Sequence, residues 1–228
     1  MLYTRQSAME NIRNRDGKRV FYLGKGDQLT NDARDFLSRE RIPVLPAEQA
    51  KPQRYHLLGG GTVEEKPEHM THLNAQVLVN KTHPRIAFRG AVDMLEAQLL
   101  LCQSQAEEGM YSKLQDALDL ARQLIRCDVL EEPVPEMKLG GMDEKALRKR
   151  SHLPQDYYGQ PHFMPDGKDG QLLLTVNLAR AAARQAELAA AHGFSDREGV
   201  PTRPDIVQAL NRLSSYLYIL MIELKAKK

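Results

Sequence analysis

Two arginines four residues apart on an alanine-rich segment are this chain's clearest means of doing chemistry. In Leu178-Ala-Arg180-Ala-Ala-Ala-Arg184-Gln-Ala-Glu187, with Asn177 just before it, the polar residues recur at spacings of three and four. In a helix they share one face and leave alanine and apolar residues on the other. Paired guanidinium groups at i, i+4 repel by about 0.2–0.5 kcal/mol on an isolated helix, a cost that an anion lying between them removes. Triphosphate would serve. A second segment, Leu210-Asn211-Arg212-Leu213-Ser214-Ser215-Tyr216-Leu217-Tyr218, follows, and together the two suggest an anion clamp. The first stripe alone reads more simply as a solvated face with an internal ion pair.

The elements that must position these groups are mostly helical. From Pro84 the spacing of Ile86, Val92, Leu95, Leu99 and Leu100 predicts a helix of about twenty residues. A second is expected over residues 112–130, stopping before Pro133 and Pro135. A short helix fits 143–150, a long loop rich in His, Tyr, Pro and Gly fits 151–170, and long helices fit 171–192 and 203–226. Lys225, Lys227 and Lys228 suit the negative end of the last one. Four long helices imply an up-and-down bundle over residues 81–228. Upstream, residues 19–23 and 42–45 read as strands around a helix at 32–39 capped by Thr30 or Asn31, making residues 1–48 a small α+β appendage. Residues 49–80, with Pro52, Gly59-Gly60-Gly61 and Pro67, read as a loop-like tether. The fold class expected is therefore all-α with an amino-terminal α+β appendage.

Composition narrows the function classes. The 228 residues carry 32 Lys and Arg against 30 Asp and Glu, a net charge of +2. No basic block with interleaved aromatics occurs, which argues against nucleic acid as a partner. Cys102 and Cys127 lack any CxxC spacing and read as small core residues in a reducing cytosol. The charged amino terminus and the brevity of the longest apolar run, 217–222, argue against secretion or a membrane partner and for a cytoplasmic protein.

Several segments together carry a resemblance covering nearly the whole chain. Lys66-Pro-Glu-His69-Met-Thr-His72-Leu, then Lys81-Thr-His83-Pro84-Arg85-Ile86-Ala-Phe-Arg89-Gly90-Ala-Val-Asp93, then Asn211-Arg-Leu-Ser, and the amino-terminal Leu29-Thr30-Asn31-Asp32-Ala33-Arg34-Asp35-Phe36-Leu37, are similar to the ATP-dependent corrinoid (cobalamin) adenosyltransferases of the ethanolamine-utilisation type. The resemblance implies a homotrimer with sites between subunits, using ATP and Mg²⁺ to transfer the adenosyl group to the cobalt of a reduced corrinoid. The product would be adenosylcobalamin, serving ethanolamine ammonia-lyase. It implies Lys81 as a phosphate contact, Arg85 as a further nucleotide-binding residue, and Asp93 as the aspartate that pairs with Arg180 across the interface. Arg184 would bind phosphate, with Glu187 and Asn211 near ATP. Phe163, in Phe163-Met164-Pro165-Asp166-Gly167, would occupy the corrinoid's lower axial face.

The chemistry suits these residue types. Co(I) is so strong a nucleophile that no general base is required, and the cofactor carries the hard step. Attack at the ribose C5′ expels triphosphate, which calls for guanidinium forks, a lysine and Mg²⁺. An aromatic wedge excludes the axial ligand that stabilises the oxidised cobalt.

Residue by residue, plainer readings stand beside these. Asp93 could pair with Arg89 at i, i+4, Phe163 could be a core anchor, Lys81 a solvated surface residue, and Tyr157, Tyr158 and His162 loop packing. The pattern also departs from the family: Ser215 stands where Asp is common after Asn-Arg-Leu-Ser, Tyr218 stands where Phe is common, and no glycine-rich phosphate loop is evident unless Gly59-Gly60-Gly61-Thr62 substitutes. The tether has no cysteine, so no protein metal site of the kind some relatives carry there is expected; His69 and His72 alone have an HxxH spacing. A bundle that binds corrinoid without catalysis, as a carrier or scaffold, is the alternative. The appendage could dock to a partner or a bacterial microcompartment.

Overall fold

The computed structural model describes residues 1–15, 17–50 and 55–226. Contacts divide the chain into two units, Met1–Lys81 and Thr82–Lys228.

The first unit is richer in strands than the sequence suggests. Its elements are β1 (Leu2–Tyr3), α1 (Arg5–Glu10), β2 (Ile12–Arg15), β3 (Lys18–Leu23), β4 (Gln28–Leu29), α2 (Asn31–Arg39), β5 (Val44–Pro46), β6 (Tyr55–Leu57), β7 (Thr62–Val63), β8 (Met70–His72) and β9 (Val77–Asn80). Among the described residues β1 and β4 pair in parallel, and the others form one sheet in the order β5-β3-β2-β7-β6-β9-β8. Thr30, not Asn31, caps α2: its hydroxyl accepts the Ala33 N–H at 3.2 Å. Ala33 and Leu37 of α2 then pack with Ala8, Phe21 and Ile42 in the unit's own core.

This corrects two expectations. The chain is not all-α beyond a small appendage, and residues 49–80 are not a loop-like tether, because β6 to β9 extend the sheet that β2 and β3 begin. Pro52 lies outside the described residues. These strands run two to four residues each, too short for an alternating pattern to stand out, and their pairing is non-local, Arg13 opposing Thr62 and Asn14 opposing Val63. The glycines are turn formers. Gly61 has a φ of +85°, and a Cβ there would sit 3.1 Å from the Ile12 carbonyl oxygen of β2, so only glycine permits that approach.

The second unit is the expected helical bundle: α3 (Pro84–Gln103), α4 (Glu108–Val129), α5 (Glu144–His152), α6 (Pro154–Tyr158), α7 (Gln171–Gly193) and α8 (Pro204–Ala226). What the sequence reads as a continuous loop over 151–170 is taken up in part by the end of α5, which runs to His152, and by the one-turn α6, and α4 begins one turn early. Lys225 does lie in the last turn of α8, whereas Lys227 and Lys228 lie outside the described residues. Phe88, Val92, Leu95, Leu99 and Cys102 bury the inner stripe of α3, while α7 buries Ala179, Ala183, Ala186 and Ala190. After Leu173 and Val176 the buried stripe is alanine alone, which lets α3 and α8 approach α7 closely there. Tyr216 on α8 is fully buried, and its hydroxyl donates to the Lys113 carbonyl oxygen at 3.1 Å. Burial pushes its ionisation well above the ordinary tyrosine range. Burial also holds the Cys102 thiol up at about 11, so it stays protonated.

One end of the bundle is tied by charge. Asp128, fully buried, accepts Arg85 Nε at 2.8 Å and Arg89 Nε at 2.6 Å, and its backbone carbonyl accepts Arg85 Nη2 at 3.0 Å. His83 caps α3 by accepting the Arg85 N–H on Nδ1 at 3.2 Å. Burial, and then the charges of Arg85 and Arg89, lower its pKa and favour the neutral ring that such an acceptor requires. Beside them Arg203 donates to the Glu132 carbonyl at 2.8 Å and pairs with Asp205, which also accepts the Val134 N–H at 3.0 Å.

Two stability predictions arise. Asp128→Ala leaves two mostly buried guanidinium groups without their carboxylate and should cost about 3 kcal/mol in urea unfolding. Hydrogen bonds from Arg203, and secondarily from Val134 N–H, outweigh burial and hold Asp205 at about 2 against an ordinary 3.8. The stabilisation is therefore present above the ordinary carboxylate pKa and lost as pH falls. Asp205→Asn should cost about 1 kcal/mol at neutral pH, and the gap between variant and wild-type urea midpoints should close between about pH 4 and pH 2.

Candidate functional site

The arginine stripe of α7 faces a matching stripe of α8. The two helices pack antiparallel, and two contacts give their register: Asn211 Nδ2 donates to Glu187 Oε1 at 2.8 Å, and the Arg180 guanidinium lies 6.0 Å from the Tyr218 ring. Positions 180 and 187 on α7 thus meet 218 and 211 on α8, each pair seven residues apart and so on one face. Arg180 also donates through Nε to Asn177 Oδ1 at 3.2 Å. It is half-buried, and burial followed by the charge of Arg184 lowers its pKa, so the site is already short of negative charge. Arg184 is exposed and makes no ion pair among the described residues. The alternative of an internal Arg–Glu pair on this helix is not what forms: Glu187 turns to Asn211.

The loop before α7 closes over the same stretch of α8. Phe163 stacks on Tyr218 with centroids 6.1 Å apart and planes at 24°, and its N–H points to the Tyr218 hydroxyl at 3.4 Å. His162 Nδ1 is 3.0 Å from that hydroxyl. Lys225 Nζ stands 5.5 Å from the Phe163 ring and pairs with Asp169. Phe163 is partly buried against the main core, so it is anchored and lies beside Arg180's ring partner at once.

Other expected site residues stand elsewhere. Arg85 is committed to Asp128, as is Arg89, so the pairing of Asp93 with Arg89 weighed from spacing does not form. Asp93 is exposed on α3, with no partner among the described residues of this chain. Lys81 belongs to the amino-terminal unit, where its Nζ pairs with Glu68 at 3.1 Å and its N–H donates to the His69 carbonyl at 2.9 Å. Ser215 and Ser214 both turn their hydroxyls onto the Asn211 carbonyl, at 3.2 and 3.0 Å. The His72 ring packs edge-on against Tyr55, and no group of three or more metal-ligating side chains occurs among the described residues. A cavity of about 450 Å³ in the amino-terminal unit, between Arg13, Phe36 and the 59–61 turn, contains none of the expected site residues. Sequence reading gave Lys225 a role only at the helix end, gave Asp169 none, and named Tyr218 only within the second segment and as a departure from the family. The signal was available: Asn211, Tyr218 and Lys225 recur every seven residues.

The second unit is thus a helical bundle in which an arginine-bearing stripe on one helix faces an amide-aromatic stripe on the next. The sequence model of the family described as Cobalamin adenosyltransferase matches residues 62–224, and the chain belongs to that family. It is 33% identical over 221 residues to the corrinoid adenosyltransferase EutT of Salmonella typhimurium, covering 97% of this chain and 82% of that protein. EutT of Escherichia coli K12 is 31% identical, with 88% and 84% covered. Among solved structures, a variant PduO-type ATP:corrinoid adenosyltransferase from Lactobacillus reuteri, complexed with cobalamin and ATP, superposes with a TM-score of 0.55 at 19% identity, covering 69% of this chain and 87% of that one. At that identity it establishes the shared fold.

The positive stripe yields a prediction independent of any reaction. Tripolyphosphate should raise the wild-type thermal midpoint by mass action, and the Arg180→Met/Arg184→Met double variant should show no such rise in the same melting experiment.

Proposed function

We propose that this protein is an ATP:corrinoid adenosyltransferase, transferring the 5′-deoxyadenosyl group of ATP to Co(I) of a corrinoid to make adenosylcobalamin. The observation that carries the reading is the register of α7 against α8, which sets Arg180 beside the Phe163 loop. Family membership and the EutT relatives support the same activity. The substrate supplies the nucleophile: cobalt bonds to the ribose C5′ as the C5′–O5′ bond breaks and the electron pair leaves with triphosphate. The chain's task is to receive that charge and keep the metal site dry.

In this reading Arg184, exposed and unpaired within the described residues, is the principal phosphate fork, and Arg180, held by Asn177 and the Tyr218 ring, is the second. Asn211 holds one carboxylate oxygen of Glu187 and orients the other, a hard donor suited to the Mg²⁺ that accompanies a triphosphate. Lys81 adds a phosphate contact. Arg85 acts through the bundle end rather than on ATP, since Asp128 occupies its guanidinium. Phe163 covers the lower axial face of the corrinoid.

A homotrimer belongs to the same proposal, with Asp93 of one copy reaching Arg180 of the next. Support comes from the outer faces of two neighbouring helices: Met94, Leu100 and Leu101 flank Asp93 on α3 and Leu178 and Leu188 flank the arginines on α7, and all five are exposed. A face of that kind favours burial against another copy. The proposal extends to service of ethanolamine ammonia-lyase and to docking through the amino-terminal unit, at a partner or a microcompartment. A deletion testing the docking should remove residues 1–81, because a cut at 66 would split the sheet between β7 and β8.

Under anaerobic conditions, chemically reduced cob(I)alamin, ATP and Mg²⁺ should be converted to adenosylcobalamin with visible spectral change, dependent on both protein and nucleotide. Arg184→Ala should lower the rate at least a hundredfold, about 2.7 kcal/mol of transition-state stabilisation, and leave corrinoid retention nearly intact. Tight corrinoid binding without turnover in the wild type would point to the carrier or scaffold reading, for which the self-satisfied Ser215 hydroxyl is the relevant observation.

A further inference from the structure

Tyr218 and Lys225 stand seven residues apart on α8, two turns along one face, and each holds one end of the loop that carries Phe163. At the first end the Tyr218 hydroxyl accepts the Phe163 N–H at 3.4 Å and meets His162 Nδ1 at 3.0 Å. The His152 carbonyl, 3.1 Å from Nε2 in the last turn of α5, can only accept, so Nε2 carries the proton of the neutral His162 ring. Nδ1 is then left to accept the Tyr218 hydroxyl proton. The His162 ring also lies parallel to Tyr218, with centroids 5.8 Å apart. At the second end Lys225 pairs with Asp169, only 4% exposed, whose Oδ2 accepts the Asp166 N–H at 2.8 Å while the Asp169 N–H returns to the Asp166 carbonyl at 2.9 Å.

The Phe163 ring lies between these two anchors, stacked on Tyr218 and 5.5 Å from the Lys225 ammonium. We propose that Tyr218 and Lys225 are positioning residues that clamp the 162–169 loop to α8 and fix the orientation of the Phe163 ring. The proposal rests on the reading of Phe163 as the residue on the corrinoid's lower face. An aromatic wedge that must exclude an axial ligand works only if its ring is held against rotation and withdrawal. A ring stack alone would let the loop slide, whereas the hydroxyl fixes its main chain and the ion pair fixes its far end. Tyr218 also touches Arg180, so the same side chain sets the wedge and one arm of the phosphate clamp in register.

The test compares wild type, Tyr218→Phe, which keeps the ring, Lys225→Met, and the conservative Lys225→Arg, as full chains. Hydrogen exchange reads the clamp without any ligand: peptides spanning 163–169 should exchange at least fivefold faster in Tyr218→Phe and Lys225→Met and at the wild-type rate in Lys225→Arg. With ATP and cob(II)alamin bound, the visible spectrum reads the wedge. The share of cobalt lacking an axial ligand should fall by more than half in the same two variants. Adenosylation kcat starting from cob(II)alamin with a supplied reductant should fall at least fivefold, with KM for ATP within twofold. Unchanged exchange, or faster exchange with unchanged spectrum and kcat, overturns the proposal. Failure of the underlying reading looks different: wild type and Phe163→Ala would then share one cob(II)alamin spectrum whatever the exchange rates, and the proposal would fall with it.

Discussion

Close approach along α7 is the constraint on which the candidate site depends. Four alanines, at 179, 183, 186 and 190, present no side chain beyond Cβ to the packed helices, so the polar stripe that flanks them is brought near α8's own polar stripe instead of being held a full side-chain length away. The register then follows from two contacts, Glu187 with Asn211 and Arg180 with Tyr218. A larger residue at any of the four alanines would shift that register before it touched a site side chain. Packing density is thus the means by which chemistry is aligned.

The bundle uses arginine in two opposite ways. Arg85 and Arg89 converge on one buried carboxylate, Asp128, and their charge is spent on holding α3 to α4. Arg180 and Arg184 converge on nothing anionic within the described residues, and burial works against the charge of Arg180. The first pair stabilises the fold; the second leaves positive potential where a polyanion would relieve it. Spacing cannot separate the two cases, since both pairs are i, i+4. What separates them is the presence or absence of a carboxylate more than thirty residues away in sequence.

That contrast also explains what was legible beforehand. The four long helices were, because Leu and Val at helical spacing on α3 and α4 and the alanine run on α7 state their period directly. The arginine stripe was legible for the same reason. The strands β6 to β9 were not, because two to four residues cannot display a period of two, and glycines at 59–61 read as linker when they are the turn that lets β7 reach β2. Arg85 was read as a nucleotide ligand through the resemblance, with its carboxylate partner Asp128 out of view. The grip of α8 on the Phe163 loop was hidden for a subtler reason. Its heptad, Asn211, Tyr218 and Lys225, mixes an amide, an aromatic and a cation, and a search for like residues does not group them.

The place of Lys225 in the order of synthesis has a consequence for how such a molecule matures. Chains emerge from the ribosome amino end first, and domains fold as they appear. Residues 1–81 can close their sheet early, since among the described residues every strand of that sheet lies within them. The Phe163 loop is made long before its anchor. Until translation has passed Lys225 and α8 has docked, Asp169 has no ammonium to meet and the aromatic ring has no fixed direction. The Phe163 loop is therefore set only after α8 has been made and has docked, and a polypeptide halted just short of Lys225 would hold the preceding helices beside a loop that lacks its second anchor.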